Sequence, residues 1–353
     1  MRILYVGGMN GLSNTCLHRN WALHKVANNV DEVNTSLNPT SFLTRICYHL
    51  FFWRLPIRIP ENNKENEKIR EMVQKQHYDI VWIDKGHTIF ASTLKYIKQV
   101  SPATIIVSYS PDNMALRHNQ TQQYLECIPY YDYIFTNKSY ILNKMRKLGA
   151  KNIHFVNNSY EETFHHPYNL TEKEKKELGG DVGFIGMWEK ERCESILYLA
   201  DHGIKVKVFG NKVWNKYVNY SPNLEIIGHF LKGEDYSKSL QAFRISLCFL
   251  RKMNFDQQTT RSVEIPACGG FMLAERTGEH LAMFKEEKEA AYFSSNKELL
   301  DKCIYYLNHE EERNKIAKAG YNRCISSDYS NLGMIKKCIN YIFSKENKYN
   351  DSI

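Results

Sequence analysis

Two acidic residues and an arginine lie close together in the stretch from residue 256 to residue 279, which reads DQQTTRSVEIPACGGFMLAERTGE. Asp256 and Glu264 are separated by seven residues, and polar side chains that include Arg261 occupy most of the interval. Carboxylates bind sugar or ribose hydroxyls, and a guanidinium binds phosphate oxygens. The types and spacing of these residues therefore indicate a site for a ligand with both hydroxyl and phosphate groups.

The polar residues after Asp256 predict a loop that leads into a short helix. If Thr260 or Ser262 caps this helix, the N–H groups of its first turn point outward beside Arg261 and suit a doubly charged phosphate. Glu264 then lies in the first turn, where it would face a neutral group such as a ribose hydroxyl pair.

The second half of the same stretch predicts a turn and a buried strand. Gly269 and Gly270 allow a close backbone approach, and the apolar run that begins at Phe271 is typical of a parallel strand. Glu279 follows this strand at the start of another helix. The alternative is an ordinary helix and strand of an α/β protein, in which Glu279 only caps its helix.

Polar residues also follow two apolar runs in the first half of the chain, at residues 78–83 and 104–109. Both runs predict parallel strands, and ligands bind at the carboxyl ends of such strands. Asp84, His87 and Asp112, together with Lys85, should therefore line one edge of a sheet. Asp112 follows Ser-Pro, so it is equally well explained as a turn residue.

The chain begins with an apolar run at residues 3–6 that leads into Gly7, Gly8 and Gly11. This spacing differs from the G-x-G-x-x-G of dinucleotide folds, so we expect no nicotinamide cofactor. A turn that binds a substrate phosphate or sugar remains open. The first residues lack the apolar region of a signal peptide, and no apolar run reaches membrane-spanning length, which predicts a cytoplasmic protein.

A second series of apolar runs, each typical of a strand, begins near residue 182. Three of these runs end directly in a glycine, at Gly186, Gly210 and Gly228. Because strands and helices alternate in both halves, the sequence predicts two doubly wound, Rossmann-like α/β domains that face a central cleft. The predicted boundaries are 1–165 for the first domain, 166–180 for a linker, 181–330 for the second domain and 331–353 for a crossover helix and tail.

Composition narrows the choice of partner and compartment. The formal charge of +8 favours a polyanion: a nucleotide diphosphate, an acidic membrane surface or a nucleic acid. Nine single, scattered cysteines form neither a zinc motif nor a disulfide framework and favour a reducing compartment.

The segment from residue 39 to residue 60 places Leu43, Ile46, Leu50 and Trp53 on one helical face, with three arginines nearby. We expect a helix that packs against the protein. The alternative is a basic, aromatic edge that contacts a peripheral membrane surface or an acceptor.

The second half of the chain resembles the carboxyl-terminal domain of GT-B glycosyltransferases, in particular the bacterial group related to the spore maturation protein CgeB and, more broadly, families 1 and 4. The stretches that carry the resemblance are VGFIGMWEKERCESILYLADHGIKVKVFG, RSVEIPACGGFMLAERTGEHLAMF and EAAYFSSNKELLDKCIYYLNHEEERNKIAKAGYNR, which cover most of residues 181–325. The resemblance implies a GT-B fold and transfer of a sugar from a UDP- or GDP-sugar to an acceptor, in cell-surface glycan or glycoconjugate synthesis.

The resemblance also implies roles for single residues. Asp256 would hold the sugar hydroxyls, although its side chain is shorter than the glutamate of the family, and Glu264 would hold the ribose. Gly186 and Arg192 would bind the diphosphate, and we add Arg261 from its charge and position. The base would lie near Gly210, Gly228 and His229. The remaining predicted donor contacts are Thr260, Gly269, Gly270 and Glu279, and the acceptor side comprises Gly7, Gly8 and Asp84.

The mechanism stays open at this level. An inverting enzyme needs a general base, for which Asp112 is the first candidate and His87 the second, whereas a retaining enzyme needs neither. No D-x-D triplet occurs in the chain, so we expect no metal. The acceptor is a glycan, a lipid-linked molecule or a protein. The alternatives are a nucleotide-sugar epimerase, a nucleic-acid glycosyltransferase and an inactive carbohydrate-binding subunit. Among the possible partners, DNA or RNA is less favoured than the acceptors named above.

Overall fold

The computed structural model describes residues 1–36, 42–55, 57–61 and 63–350, which form two compact units. The first unit comprises Met1–Asn157 and Asn331–Ile353, and the second comprises Asn158–Ser330. The first unit thus ends eight residues before the predicted boundary at residue 165, and the predicted linker of residues 166–180 lies within the second unit.

The first unit is a parallel sheet covered by helices. Its elements are β1 Arg2–Gly7, α1 Thr15–Val26, β2 Asn29–Asn34, α2 Phe42–Phe52, α3 Glu65–Lys75, β3 Ile80–Asp84, α4 Ala91–Val100, β4 Ile105–Ser110, α5 Gln122–Cys127, β5 Tyr133–Thr136, α6 Leu142–Lys147 and β6 Ile153–Phe155, with α14 Asn331–Asn350 added from the end of the chain. The strand order is β2-β1-β3-β4-β5-β6, and every pair is parallel.

The second unit repeats this architecture. Its elements are α7 Glu172–Leu178, β7 Gly180–Ile185, α8 Lys190–Asp201, β8 Val206–Phe209, β9 Leu224–Ile227, α9 Gly233–Ala242, β10 Phe243–Cys248, α10 Arg261–Ala267, β11 Met272–Glu275, α11 Gly278–Met283, β12 Ala291–Phe293, α12 Asn296–Asn308 and α13 Glu310–Ser326. The strand order is β9-β8-β7-β10-β11-β12, so the direction of winding reverses between β7 and β10. Ligands of doubly wound sheets bind at the carboxyl ends of the strands at such a reversal.

The predicted strands appear within about two residues of their expected ends, because strands of a parallel sheet are buried on both faces and form continuous apolar runs. The sequence analysis missed β2, which reads NVDEVN and lies at the edge of its sheet. Only Val33 in this strand is buried, so the apolar run that marks the other strands is absent.

The segment of residues 39–60 contains a helix, as predicted. The prediction is wrong about which face of this helix packs against the protein. Helix α2 forms, but Leu43 is 65% exposed and Trp53 just beyond it is 74% exposed. The helix instead buries Thr44 and Phe51, which lie on its opposite side. Residues 39–41 and 56 of the predicted segment lie outside the described residues.

Helix α14 covers one face of the first sheet. Its side chains Ile335, Cys338 and Ile342 are buried in one apolar cluster with Trp82 of β3 and Phe135 of β5. Trp82 and Phe135 stack with their ring centroids 6.0 Å apart. The part of α14 that carries these side chains therefore belongs to the core of the first unit.

A buried ion pair joins α1 to β3 in the first unit. The Arg19 guanidinium donates to both Asp84 carboxylate oxygens at 2.9 to 3.1 Å, and the Tyr5 hydroxyl donates to the same carboxylate at 3.0 Å. The Asp84 side chain has no solvent exposure. Asp84 was predicted to line the acceptor side, but its carboxylate faces α1 and is not available to a ligand.

The nine cysteines are free, and eight of them are buried. Within the described residues, no helix has both the length and the apolar character needed to span a membrane.

We expect Asp84→Ala to lower the free energy of unfolding by about 3–5 kcal/mol, because it leaves the Arg19 guanidinium buried without its counterion. The control is Glu126→Ala, which breaks a largely exposed ion pair of 2.6 Å with Arg58. This change should lower the free energy of unfolding by less than about 1 kcal/mol. Urea denaturation followed by circular dichroism measures both. Equal losses in the two variants would contradict the structural role of Asp84.

Candidate functional site

Two arginines meet at the reversal point of the second sheet. Arg192 lies in the first turn of α8, which follows β7, and Arg261 is the first residue of α10, which follows β10. Their guanidinium carbons lie 5.8 Å and 5.6 Å from the centroid of the Phe184 ring. The strand order therefore brings together two cations that are 69 positions apart in the sequence.

Positive charge exceeds negative charge around this ring. Glu189 is shared by two arginines: one of its oxygens is 3.5 Å from Arg192 Nη2, and the other accepts from Arg251 Nε at 3.1 Å. Burial, followed by the charge of Arg261, lowers the pKa of Arg192 to about 10. The Nε atoms of Arg192 and Arg261 are buried and have no hydrogen-bond partner within the described parts of the chain. Buried, unsatisfied cationic donors of this kind suit an anion with several oxygens.

Glu264 lies three residues after Arg261, on the same side of α10. It is 7% exposed and accepts a hydrogen bond of 2.6 Å from the hydroxyl of Tyr236 on α9. Burial, together with the charge of Glu264, raises the pKa of Tyr236 well above its usual value. Tyr236 is therefore a neutral donor that orients the Glu264 carboxylate.

The start of α10 is held by a network that the sequence analysis missed. The Ser262 hydroxyl accepts from the backbone N–H of Thr259 at 3.0 Å and lies 2.7 Å from His280 Nε2. His280 Nδ1 is 2.7 Å from the carbonyl oxygen of Glu275, which can only accept, so Nδ1 carries the proton and Nε2 accepts from Ser262. Thr260 occupies the N-cap position without a side-chain capping bond.

The loop before α10 is tied to α11. Gln258 accepts from the backbone N–H of Asn158 at 2.8 Å and donates to Glu279 at 2.8 Å, and the Thr277 hydroxyl donates to the carbonyl oxygen of Gln257 at 2.6 Å. The cap of α11 is Thr277, so the capping role considered for Glu279 is wrong. Asp256 lies in this loop, where its N–H donates to the carbonyl oxygen of Arg251.

The predicted glycines of the second unit lie in close contact with the protein's own atoms or in a left-handed conformation. Gly269 ends α10 with a φ of +77°, a conformation that other residues rarely adopt. A Cβ at any of four other glycines would overlap with the protein's own atoms: Gly186 with Phe184, Gly210 with Trp214, Gly228 with Asn215, and Gly270 with the carbonyl oxygen of Leu240. His229 follows Gly228, and its ring is 6.4 Å from that of Phe209.

In the first unit, the ends of β3 and β4 bring three of the predicted residues together. Lys85 Nζ lies 3.0 Å from an Asp112 carboxylate oxygen. Burial alone would raise the pKa of Asp112, but the charge and hydrogen bond of Lys85 outweigh it and lower this pKa. Burial and the charge of Lys85 lower the pKa of His87 to about 4. Asp112 is therefore ionised and His87 neutral at pH 7.

The first glycine turn makes close contacts within the protein. A side chain at Gly7 would overlap with the Tyr5 hydroxyl, and the carbonyl oxygen of Gly8 accepts from Asn14, which also caps α1.

Comparison with known proteins gives a family match for part of the chain. A family model described as "Glycosyl transferase-like" matches residues 192–333, a range that includes Arg192, Arg261 and Glu264. A search of curated proteins finds no match.

Solved structures match nearly the whole chain. HepE from Anabaena in complex with UDP-glucose has a TM-score of 0.63 at 11% identity, over 98% of this chain and 100% of that one. Sucrose-phosphate synthase from Thermosynechococcus elongatus has a TM-score of 0.65 at 9% identity, with the same coverage. A glycosyltransferase from Rickettsia africae has a TM-score of 0.61 at 12% identity, over 96% of this chain and 97% of that one. The chain has the GT-B fold of two Rossmann-like α/β domains, as predicted.

His87 and His280, whose pKa values are both lowered, predict how stability depends on pH. Burial lowers the pKa of both His87 and His280 below the value of 6.5 that applies in the unfolded chain. The unfolded chain then binds more protons, so stability is complete above pH 6.5 and falls as the pH decreases towards 4. Urea denaturation between pH 7.5 and 4.5 should show this loss, and His87→Gln should reduce it. His202→Gln, which removes an exposed histidine, should leave it unchanged, and equal slopes in all three proteins would contradict the prediction.

Proposed function

We propose that the protein is a glycosyltransferase that transfers a sugar from a UDP- or GDP-sugar to an acceptor and binds its donor in the second unit. The observation that carries the proposal is the pair of arginines at the reversal point, with their buried, unsatisfied Nε atoms. The match of residues 192–333 to a glycosyl transferase-like model supports it, and so does the fold shared with HepE, which was solved with UDP-glucose.

Arg192 and Arg261 are proposed to bind the diphosphate, while Glu189 holds Arg192 and Arg251 in place. When the bond between the sugar and the diphosphate breaks, negative charge develops on the leaving phosphate. Guanidinium groups directed at these oxygens stabilise that charge by about 1.5–3 kcal/mol for each hydrogen bond. The two guanidinium groups supply positive charge beside the leaving phosphate, so these cations are proposed to act in place of a metal ion.

Glu264 is proposed to accept from the ribose hydroxyls, and its hydrogen bond with Tyr236 sets its orientation. Asp256 is proposed to hold the sugar hydroxyls.

The acceptor is proposed to bind in the first unit, beside Lys85, His87 and Asp112. If transfer inverts the configuration, Asp112 is the proposed general base, because it is ionised at neutral pH and lies at the carboxyl edge of the sheet. The low pKa that Lys85 imposes makes Asp112 a weak base. A retaining reaction would need no such base and would leave Lys85 and Asp112 to orient the acceptor.

Donor binding tests the proposed site. We expect Arg261→Ala and Glu264→Ala each to weaken the binding of UDP or GDP by about 10- to 100-fold, because each loses a hydrogen bond to a charged group. The matched control is Arg244→Ala: Arg244 lies near the start of β10 and pairs with Asp181 at 3.0 Å. Isothermal titration with both nucleotides measures the affinities, and unchanged binding in the two site variants would contradict the assignment.

Turnover tests the reaction. A panel of UDP- and GDP-sugars should show slow release of UDP or GDP from one donor even in the absence of an acceptor, because water can replace the acceptor hydroxyl. Release should persist in EDTA, since arginines carry the proposed phosphate stabilisation. Tight binding without any release would instead identify an inactive carbohydrate-binding subunit, and loss of release in EDTA would contradict the metal-independent mechanism.

A further inference from the structure

Helix α2 and the turn after it expose an unusual amount of apolar surface. Six large apolar side chains between residues 42 and 55 are exposed: Phe42 by 79%, Leu43 by 65%, Ile46 by 38%, Phe52 by 68%, Trp53 by 74% and Leu55 by 42%. We call these six side chains the α2 surface. Single exposed apolar residues are common, but a contiguous group that contains three aromatic rings marks an interaction site.

Four of the six side chains of the α2 surface share one side of the helix. At 3.6 residues per turn, Phe42, Leu43, Ile46 and Trp53 fall within an arc of about 100° around the helix. Thr44 and Phe51 lie on the opposite side and are buried. The helix is therefore fixed to the protein by one side while its most apolar side remains in contact with water.

The segment that carries the α2 surface contains basic residues and no acidic residue of its own. The sequence from residue 42 to residue 60 contains Arg45, Arg54 and Arg58 and no acidic residue. Arg58 pairs with Glu126 at 2.6 Å. Arg45 on α2 and Arg54 just after it are both exposed. Arg54 lies just after the end of α2 in a left-handed backbone conformation, with a φ of 66°. The apolar side chains are thus bordered by basic groups.

We propose that the α2 surface binds to an anionic lipid membrane, with α2 lying in the plane of the interface. Aromatic and aliphatic side chains enter the boundary between headgroups and acyl chains, while arginines at their border pair with lipid phosphates. With 11 residues, α2 is too short to span a bilayer but long enough to lie on one.

A second copy of this chain fits the α2 surface less well. Two such surfaces in contact would bring Arg45 and Arg54 of each copy near those of the other, and like charges at an interface disfavour association. An anionic membrane provides the opposite charge together with an apolar layer. Charge complementarity therefore favours the membrane as the occupant.

This inference goes beyond the proposed function and does not depend on it. The Phe51 ring, on the buried side of α2, lies 6.0 Å from the His87 ring. The α2 surface is therefore attached to the edge of the sheet that carries Lys85, His87 and Asp112.

The test is co-sedimentation of the full-length protein with vesicles of phosphatidylcholine alone or with 30% phosphatidylglycerol. We expect binding to the anionic vesicles that weakens in high salt. The double variant Phe42→Ser with Trp53→Ser should bind these vesicles at least about tenfold more weakly, because it loses two interfacial aromatic side chains. Both residues are exposed, so the melting temperature should not fall, and a melting scan of the variant checks this.

The matched control is Ile304→Ser with Ile325→Ser, which removes two apolar side chains that are 45% and 51% exposed in the second unit. This control should bind vesicles as the unchanged protein does. Equal binding by the α2 double variant, or no binding of the unchanged protein to either vesicle, would overturn the proposal. Sedimentation velocity gives a further check: a dimer that the α2 variant converts to a monomer would assign the surface to a second copy instead.

Discussion

The site in the second unit depends on the repulsion between two guanidinium groups that share one aromatic ring. Arg192 and Arg261 both lie within 6 Å of the Phe184 centroid, and burial, followed by the charge of Arg261, lowers the pKa of Arg192. Glu189 offsets part of this charge but is also engaged by Arg251. An anion that enters the site satisfies the buried donors and removes the repulsion. The unfavourable electrostatics of this pair would therefore become a source of affinity for the proposed diphosphate.

Two like charges stay together only if the scaffold prevents them from moving apart. The start of α10 is fixed by the Ser262 and His280 pair, both of whose residues are fully buried. Its end is fixed because Gly270, which follows the helix, lies in close contact with the carbonyl oxygen of Leu240. Arg261 and Glu264 are thus carried by a helix that is held at both termini. The neutral form of His280 matters here, since a protonated ring could no longer accept from Ser262.

The sequence predicted much of the fold because the signals were local. Continuous apolar runs marked strands such as β1, β3 and β4, and the spacing of Arg261 and Glu264 placed them on one side of a helix. Side chains whose partners are distant in the sequence were less predictable. Ser262 and His280 are 18 residues apart, and a buried histidine leaves no pattern of its own. Asp84 stands at a strand end like Asp112, but its carboxylate is paired with Arg19, 65 residues away.

The α2 segment shows a second limit of prediction from sequence. A helical pattern determines which side chains share a face, but it does not determine what covers that face. The same apolar arc fits a protein core or a lipid surface, and only the burial of Thr44 and Phe51 shows which side contacts the protein. Phe51 is also the contact to His87. The side of α2 that contacts the protein therefore packs next to the proposed acceptor edge, while the opposite side carries the proposed membrane surface.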